Sequence, residues 1–393
     1  LNINILNNQA RQAIELVRNY PGDLPFHLYL QHYFRLHKKF GSKDRKNLRN
    51  LTFAWFRLGR TLPIDENTAL LTAFSLLNQE SSWFSEHYNE PLPSDYWTWL
   101  NLRFPDWNPA SIFPSAASLS PEFRNEDFYK SQVNQPLLWI WSEYHKDIQR
   151  YLLDTDILCE THPDVPLALG LPNGFNLEIL PQKWRNKISV QDLSSQFFCT
   201  QIKPDSKESV WDCCAASGGK SLNLYAVNKS LKFYVSDVRP SILQSLKYRF
   251  NEFRLNNYHM SAIDLEKNTD EVLFDAGLQN EHKVGAGFFD KIILDAPCSG
   301  SGTWSRNPEG LLFSNNDLIE NYQNTQKRIL TNVWPFLKKG GLLYYLTCSV
   351  FEMENEEVVM AFNNPDAERV SQSYFHGDQH QSDSMFCAVL RKI

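Results

Sequence analysis

Two short segments carry thiols where a thiol could do chemistry. Asp295-Ala296-Pro297-Cys298-Ser299-Gly300-Ser301-Gly302 follows the apolar run Lys291–Leu294, and Thr347-Cys348-Ser349 follows Leu342–Leu346. In each, a strand candidate exits into small polar residues, so the thiol stands at a strand end rather than inside a core. A cysteine placed there can serve as a nucleophile, because the thiolate is the reactive species and needs a polar, partly open surrounding. Cys159, Cys199, Cys213 and Cys387 lack that setting and read as small buried hydrophobes. The chain has seven cysteines, an odd number with no CxxC pair, which excludes a disulfide framework and a structural zinc site; no metal is expected.

A third segment has the form of a nucleotide loop. Asp212-Cys213-Cys214-Ala215-Ala216-Ser217-Gly218-Gly219-Lys220-Ser221 follows a strand candidate and opens a helix, where a doubly wound sheet holds the charged end of a cofactor. A Walker loop is excluded, since its spacing requires glycine where Cys214 stands, and no GxGxxG occurs. Asp237 ends the next strand candidate, Lys232–Val235, at the distance where a carboxylate grips ribose hydroxyls. A ribose acid without a pyrophosphate cradle suits S-adenosylmethionine better than NAD or ATP. In an open α/β sheet ligands sit beyond the carboxyl ends of the strands, so Cys214, Asp237, Asp295, Cys298 and Cys348 are expected to share one crevice.

The elements that would position these residues alternate from Val190 onward. Strand candidates Ser209–Cys213, Lys232–Val235, Lys291–Leu294 and Leu342–Leu346 are separated by helical stretches such as Ser241–Leu255 and Leu318–Leu337, the pattern of a parallel, doubly wound sheet. Met385–Arg391 reads as an antiparallel closing strand. Residues 131–189 have a short, mixed α/β texture. Before them, segments such as Gln9–Arg18 and His27–Leu36 carry apolar residues at three- and four-residue spacing and read as helices. The expected organisation is therefore a helical domain over 1–130, a small mixed α/β subdomain over 131–189 and a catalytic α/β domain over 190–393.

A length of 393 residues with 42% hydrophobic and 21% charged residues provides for two or three folded domains and excludes general disorder. No run approaches a membrane span, and no signal-like start is present; the expectation is a cytoplasmic monomer with reduced thiols. The net charge of -6 argues against a nucleic-acid partner until its distribution is read. From Arg35 to Arg49 seven basic residues (Arg35, Lys38, Lys39, Lys43, Arg45, Lys46, Arg49) face one acid, Asp44, giving +6. That run is either a solvated helix face or a grip on a nucleic-acid backbone.

Taken together, Val190-Gln191-Asp192 with Ser195-Gln196, Ala215–Lys220, Asp295–Gly302, Arg306-Asn307-Pro308-Glu309, and Thr347-Cys348-Ser349 with Glu354–Val359 closely resemble the Fmu/Sun (RsmB/RsmF-like) family of S-adenosylmethionine-dependent RNA cytosine-C5 methyltransferases. The resemblance is strong from about Val190 to Met360, continues through Asp383–Lys392, and is weak before Asn134. It implies a Rossmann-like class I methyltransferase domain, a nucleophilic Cys348, and a Cys298 that assists product release. It also implies that Asp295 contacts the base or the methyl donor, that Cys214, Ala215, Ala216, Ser217, Gly218, Gly219 and Lys220 line the methionine end of the cofactor, that Asp237 holds its ribose and that Asp264 meets its adenine. The partner implied is RNA, ribosomal or transfer, with RNA methylation and rRNA processing as the setting.

The chemistry asks for such residues. Cytosine carbon 5 is a poor nucleophile until a thiolate adds to carbon 6, and the carbon-5 proton must later leave so that the thiol can be eliminated. Three departures from the family stand out: Ser217 replaces a usual proline, Ile242 a usual arginine, and Trp141-Ser142-Glu143 an Arg-x-Asn triplet associated with RNA contact. For Trp141 the packed reading is preferred over base stacking. Two other classes stay open, an RNA-binding assembly factor without turnover and a small-molecule methyltransferase; the first has no need of two thiols, and the second leaves the basic run unexplained.

Overall fold

The computed structural model describes residues 3–113, 118–268, 270–275, 281–313 and 315–393. The chain forms two compact units, Leu1–Gln135 with Thr303–Asn315, and Pro136–Gly302 with Asn316–Ile393.

The main helices of the first unit are α1 (Ile3–Arg18), α2 (Phe26–Leu36), α3 (Ser42–Arg57), α4 (Glu66–Asn78), α5 (Ser81–Tyr88), α6 (Tyr96–Arg103) and α7 (Glu126–Ser131). In α1, Leu6, Ala10, Ala13, Leu16 and Val17 recur at helical spacing and are buried together. α4 is buried along Ala69–Leu76 on all sides, which makes it the central helix of this unit. Its start is set by Asp65, whose carboxylate accepts the Thr68 N–H at 3.1 Å, and Asn125 caps α7 in the same way through Phe128 N–H at 2.9 Å.

The second unit opens with β1 (Leu138–Trp141), α8 (His145–Asp154), β2 (Glu160–His162), β3 (Val165–Leu171), α9 (Gln182–Arg185) and β4 (Ser189–Val190), whose strands form a sheet in the order β2-β3-β1-β4. Trp141 is fully buried there, 5.3 Å from the Phe253 ring, so it packs rather than offering a face to a base. The chain continues through α10 (Leu193–Gln201), β5 (Ser209–Asp212), α11 (Gly219–Val227), β6 (Lys232–Asp237), α12 (Pro240–Glu252), β7 (Tyr258–Ala262), β8 (Val272–Asp275), β9 (Glu281–Val284) and β10 (Phe289–Asp295). Residues 303–315, with the short α13 (Gly310–Phe313), then leave for the first unit. The second unit resumes with α14 (Asn316–Val333), β11 (Leu337–Thr347), α15 (Glu356–Ala361), β12 (Ala367–Phe375) and β13 (Met385–Lys392).

Among the described residues, nine strands run in the order β12-β13-β11-β10-β5-β6-β7-β8-β9. β11, β10, β5, β6 and β7 are mutually parallel; β13 runs antiparallel to β11 but does not close the sheet as expected, because β12 pairs antiparallel on its outer side and forms the edge. Successive residues of the central strands serve opposite cores: Ile293 and Leu346 belong to one, Ile292, Leu294 and Tyr345 to the other. From β5 the chain moves out through β6 and β7, then returns to β10 on the other flank, so the order reverses between β5 and β10. That switch point is where such sheets leave a crevice. The helix expected to reach Leu337 ends at Val333, because Pro335 cannot donate to a helical ladder; the strand that follows is longer than expected and runs through Gly340-Gly341.

Candidate active site

β5, β6, β10 and β11 end on Asp212, Asp237, Asp295 and Thr347, and a cleft of about 590 Å³ opens beyond these ends. Of the residues singled out from the sequence, Cys214, Ala216, Asp237, Asp264, Asp295, Cys298 and Cys348 line it. Ala215, Ser217, Gly218, Gly219 and Lys220 are not among its lining residues and support it from behind. Gly218 shows why: its φ of +79° starts α11, and a Cβ there would meet the Phe250 ring at 2.5 Å. Lys220 is buried, and its Nζ donates to Asp295 Oδ2 at 2.5 Å. Burial alone would lower the Lys220 pKa, but Asp295 and its other acidic neighbours raise it, so the lysine holds Asp295 as a charged strut.

The two thiols meet at the ends of β10 and β11, with Cys298 Sγ 3.3 Å from Cys348 Sγ. The hydrogen bond to Cys348, and then burial, push the Cys298 thiol well above the ordinary range. By contrast Cys199, on α10, and Cys387, on β13, are buried, pushed up to about 12, and chemically inert.

Glu354 joins the two cysteine loops and was not assigned a role from the sequence. Its buried carboxylate accepts Ser299 N–H at 2.7 Å and Ser299 Oγ at 2.5 Å beside Cys298, and Ser349 Oγ at 2.6 Å beside Cys348. Burial raises its pKa, and these hydrogen bonds pull it part of the way back. Asn355 secures the second loop, donating to Ser349 O at 3.0 Å and accepting from Thr347 Oγ1 at 2.5 Å. Gly302 closes the arrangement: its N–H donates to Cys348 O at 2.8 Å, and a Cβ there would stand 2.1 Å from Ser384 O. Only the Glu-Asn pair following a Thr-Cys segment could have hinted at this frame. Tyr322, from α14, also lines the cleft, and no pattern in the sequence marked it.

Asp237 is buried and accepts the Ala216 N–H at 3.0 Å, which ties the end of β6 to the loop before α11. Its carboxylate also takes Arg239 Nε at 2.9 Å and Nη2 at 3.1 Å. Burial works to raise its pKa, but the Arg239 hydrogen bonds more than offset that and lower it. Arg239 thus reaches Asp237 from the solvent side, while Ile242 packs on the core. Ser217 is held from another direction: Arg249 donates to Ser217 O at 2.9 Å, Ser217 Oγ at 2.6 Å and Ser189 Oγ at 2.6 Å. The donor set fits an adenosyl ligand carrying a positive sulfur. Asp237 lies at the end of β6 on the cleft wall, Ile263 and Leu265 give an apolar slot, and the lining carboxylates Asp264, Glu266 and Asp295 are paired with Lys267, Arg328 and Lys220.

The basic run belongs to the first unit, where Arg35, Arg45 and Arg49 line a cavity and Lys38, Lys39, Lys43 and Lys46 are exposed outside it.

Residues 199–391 match the family model described as 16S rRNA methyltransferase RsmB/F. Ribosomal RNA small subunit methyltransferase B of Proteus mirabilis is 29% identical over 273 residues, covering 68% of this chain and 62% of the relative. The protein of the same name from Shewanella oneidensis is 33% identical over 199 residues, 51% of this chain and 43% of the relative. The chain thus spans about half the length of these curated relatives. Among solved structures, PH0851 superposes with a TM-score of 0.70 at 20% identity, covering 98% of this chain and 99% of that one. A methyltransferase homolog protein from Pyrococcus horikoshii superposes with a TM-score of 0.57 at 23% identity, covering 75% and 97%. These likenesses establish a Rossmann-like methyltransferase fold. No described helix is long and apolar enough to cross a membrane.

Proposed function

We propose that this chain, whose residues 199–391 match the RsmB/F methyltransferase model, is an S-adenosylmethionine-dependent RNA cytosine-C5 methyltransferase acting on small-subunit ribosomal RNA. The observation that carries the reading is the 3.3 Å pair of Cys298 and Cys348 in the cleft that also holds Asp237 and Asp295. A single catalytic thiol would suit many reactions, but two thiols within one hydrogen bond suit addition and elimination at one ring.

Cys348 Sγ adds to cytosine carbon 6, which makes carbon 5 electron-rich. Asp295, braced by Lys220, faces the polar edge of the ring as a hydrogen-bonding carboxyl group. When bound, S-adenosylmethionine supplies an electrophilic methyl group, with Asp237 at its ribose and Asp264 at its adenine. Ala216 and Cys214 border the same pocket, and the loop Ala215–Lys220 shapes it from behind. Once Cys348 is a thioether it no longer shares the hydrogen bond that holds the Cys298 proton most tightly. The Cys298 thiol can then give its proton to solvent water, and the resulting thiolate accepts the proton leaving carbon 5. Loss of that proton expels Cys348 as thiolate and frees the methylated base. The target base must be unstacked to enter the cleft. The basic residues Arg35, Lys38, Lys39, Lys43, Arg45, Lys46 and Arg49 are the proposed source of non-specific RNA attraction.

The test is direct. Purified protein is incubated with methyl-labelled cofactor and RNA, and RNA from cells with and without the gene is sequenced after bisulfite treatment. A cytosine protected only when the gene is present supports the reading. Cys348→Ala is expected to abolish transfer while retaining cofactor binding, and Cys298→Ser to accumulate a protein–RNA adduct that survives denaturing electrophoresis. Full activity in Cys348→Ala overturns the mechanism.

A further inference from the structure

In the first unit, α3 presents Arg45, Arg49, Phe53 and Arg57 at four-residue intervals, so the four share one helix face. Two cavities lie along that face and share Phe53 and Gln135 as walls, one of about 710 Å³ and one of about 300 Å³. The larger is lined by four arginines, Arg35, Arg45, Arg49 and Arg306, against one carboxylate, Glu309, which is engaged by the Phe26 N–H at 3.0 Å. Arg306 and Glu309 come from the 303–315 excursion, so the cavity exists only because that segment folds into this unit. Arg45 is held in place: its Nε donates to Phe40 O at 2.9 Å, and its guanidinium lies 5.5 Å over the Phe34 ring.

Arg57 adds buried positive charge on this face, with its Nη2 donating to Ser305 O at 3.1 Å. It lines the smaller cavity and is 6% exposed, and its Nε has no hydrogen-bond partner among the described residues. A buried guanidinium donor left without an acceptor costs free energy unless something fills it. Burial lowers its pKa to about 10, which leaves it charged at neutral pH.

We infer that this arginine face of α3 is a seat for the phosphodiester backbone of single-stranded RNA, with Arg35, Arg45 and Arg49 on phosphates and Phe53 as the wall for a base. Arginine suits the task because its planar fork binds phosphate oxygens in pairs, and an aromatic wall between cations is the usual setting for an unpaired strand. The exposed lysines of the same run lie outside the cavities and act only as diffuse charge. The inference rests on RNA as the substrate class, and it narrows the binding residues from the whole basic run to its arginines.

The experiment measures anisotropy of a labelled oligouridylate on the full chain across a salt series. Arg35→Gln with Arg49→Gln is expected to make the log affinity against log salt slope shallower by about 1.4, two phosphate contacts at about 0.7 each for a single strand. The charge-matched control, Lys38→Gln with Lys46→Gln, is expected to change it by less than half as much. Equal changes in the two variants overturn the seat. So does a polyglutamate competitor that binds with the same arginine dependence, which would assign the face to an acidic protein segment. Methylation kinetics separate this from the proposed activity. If the arginine variant methylates RNA with unchanged KM, the seat is wrong and the activity stands. If the arginine dependence holds but no RNA is methylated, the activity is wrong and the seat stands.

Discussion

Cys298 Sγ lies 3.3 Å from Cys348 Sγ, and the hydrogen bond between them is the largest cause of the raised Cys298 pKa. Two thiols that share a proton titrate as a pair, so removing one changes the chemistry of the other. In Cys348→Ala the main cause is gone and only burial and more distant charges remain. The rate of Cys298 alkylation by iodoacetamide at a fixed mildly alkaline pH is therefore expected to rise, read by peptide mass mapping. A rate unchanged from the unsubstituted protein would mean the thiols are not coupled.

Glu354 is the buried frame of both cysteine loops. Glu354→Gln keeps the shape but turns an amide NH₂ toward donors, so at least one of the hydroxyl or N–H groups on Ser299 and Ser349 loses its acceptor. The expected cost is about 1–3 kcal/mol in denaturant unfolding. The methylation rate is expected to fall by up to about 10²-fold through misplacement of the thiols, with cofactor affinity retained because the nucleotide loop is not part of this network.

Arg249 compensates for the serine in the nucleotide loop. With Ser217 in place of proline the loop lacks a rigid φ, and Arg249 restrains it by bonding Ser217 O, Ser217 Oγ and Ser189 Oγ. Arg249→Ala is expected to weaken S-adenosylmethionine binding by about 5–30-fold, the equivalent of 1–2 kcal/mol, in isothermal titration. Arg249→Lys is expected to recover only part of it, since an ammonium cannot bridge these acceptors as a planar fork does.

Asp212 carries a pH signature. Burial raises its pKa from 3.8 to about 6, with Ser221 Oγ donating to one oxygen at 2.8 Å. Because the folded pKa lies above the unfolded one, the folded state favours the protonated acid. The contribution of this group to stability is greatest below pH 3.8 and is lost as pH rises to about 6. Asp212→Asn is expected to stabilise relative to the unsubstituted chain by about 1–3 kcal/mol at pH 8, with the difference shrinking below pH 6. A pH-independent difference in unfolding free energy would place the cause elsewhere.

Much of the site was legible because its chemistry is local in sequence. Asp237, Asp295, Cys298 and Cys348 each follow an apolar run that could only be a buried strand, and strand ends of a parallel sheet share one side. The frame around them was less legible. Glu354 reads as one acid among several, since Ser299 and Ser349 become its donors only when β10 and β11 pair. The outer strands β7, β8 and β9, of which β9 is the edge, were also not marked, because partly exposed strands lack the continuous apolar run that identifies central ones.

By itself the sequence determined the alternation of strands and helices in the second half, the two thiol loops, the ribose acid and the segregated charge of the basic run. These depend on residue type and short spacing, which hydrophobic burial and backbone stereochemistry convert directly into local structure. Only the tertiary structure decided which charges act together. It brought the two thiols within a hydrogen bond, set Lys220 against Asp295, and folded Arg306 into the cavity of Arg35, Arg45 and Arg49. Each pairing joins residues far apart in the chain, and the distance that turns a shared charge into an altered pKa or a binding site is set by packing.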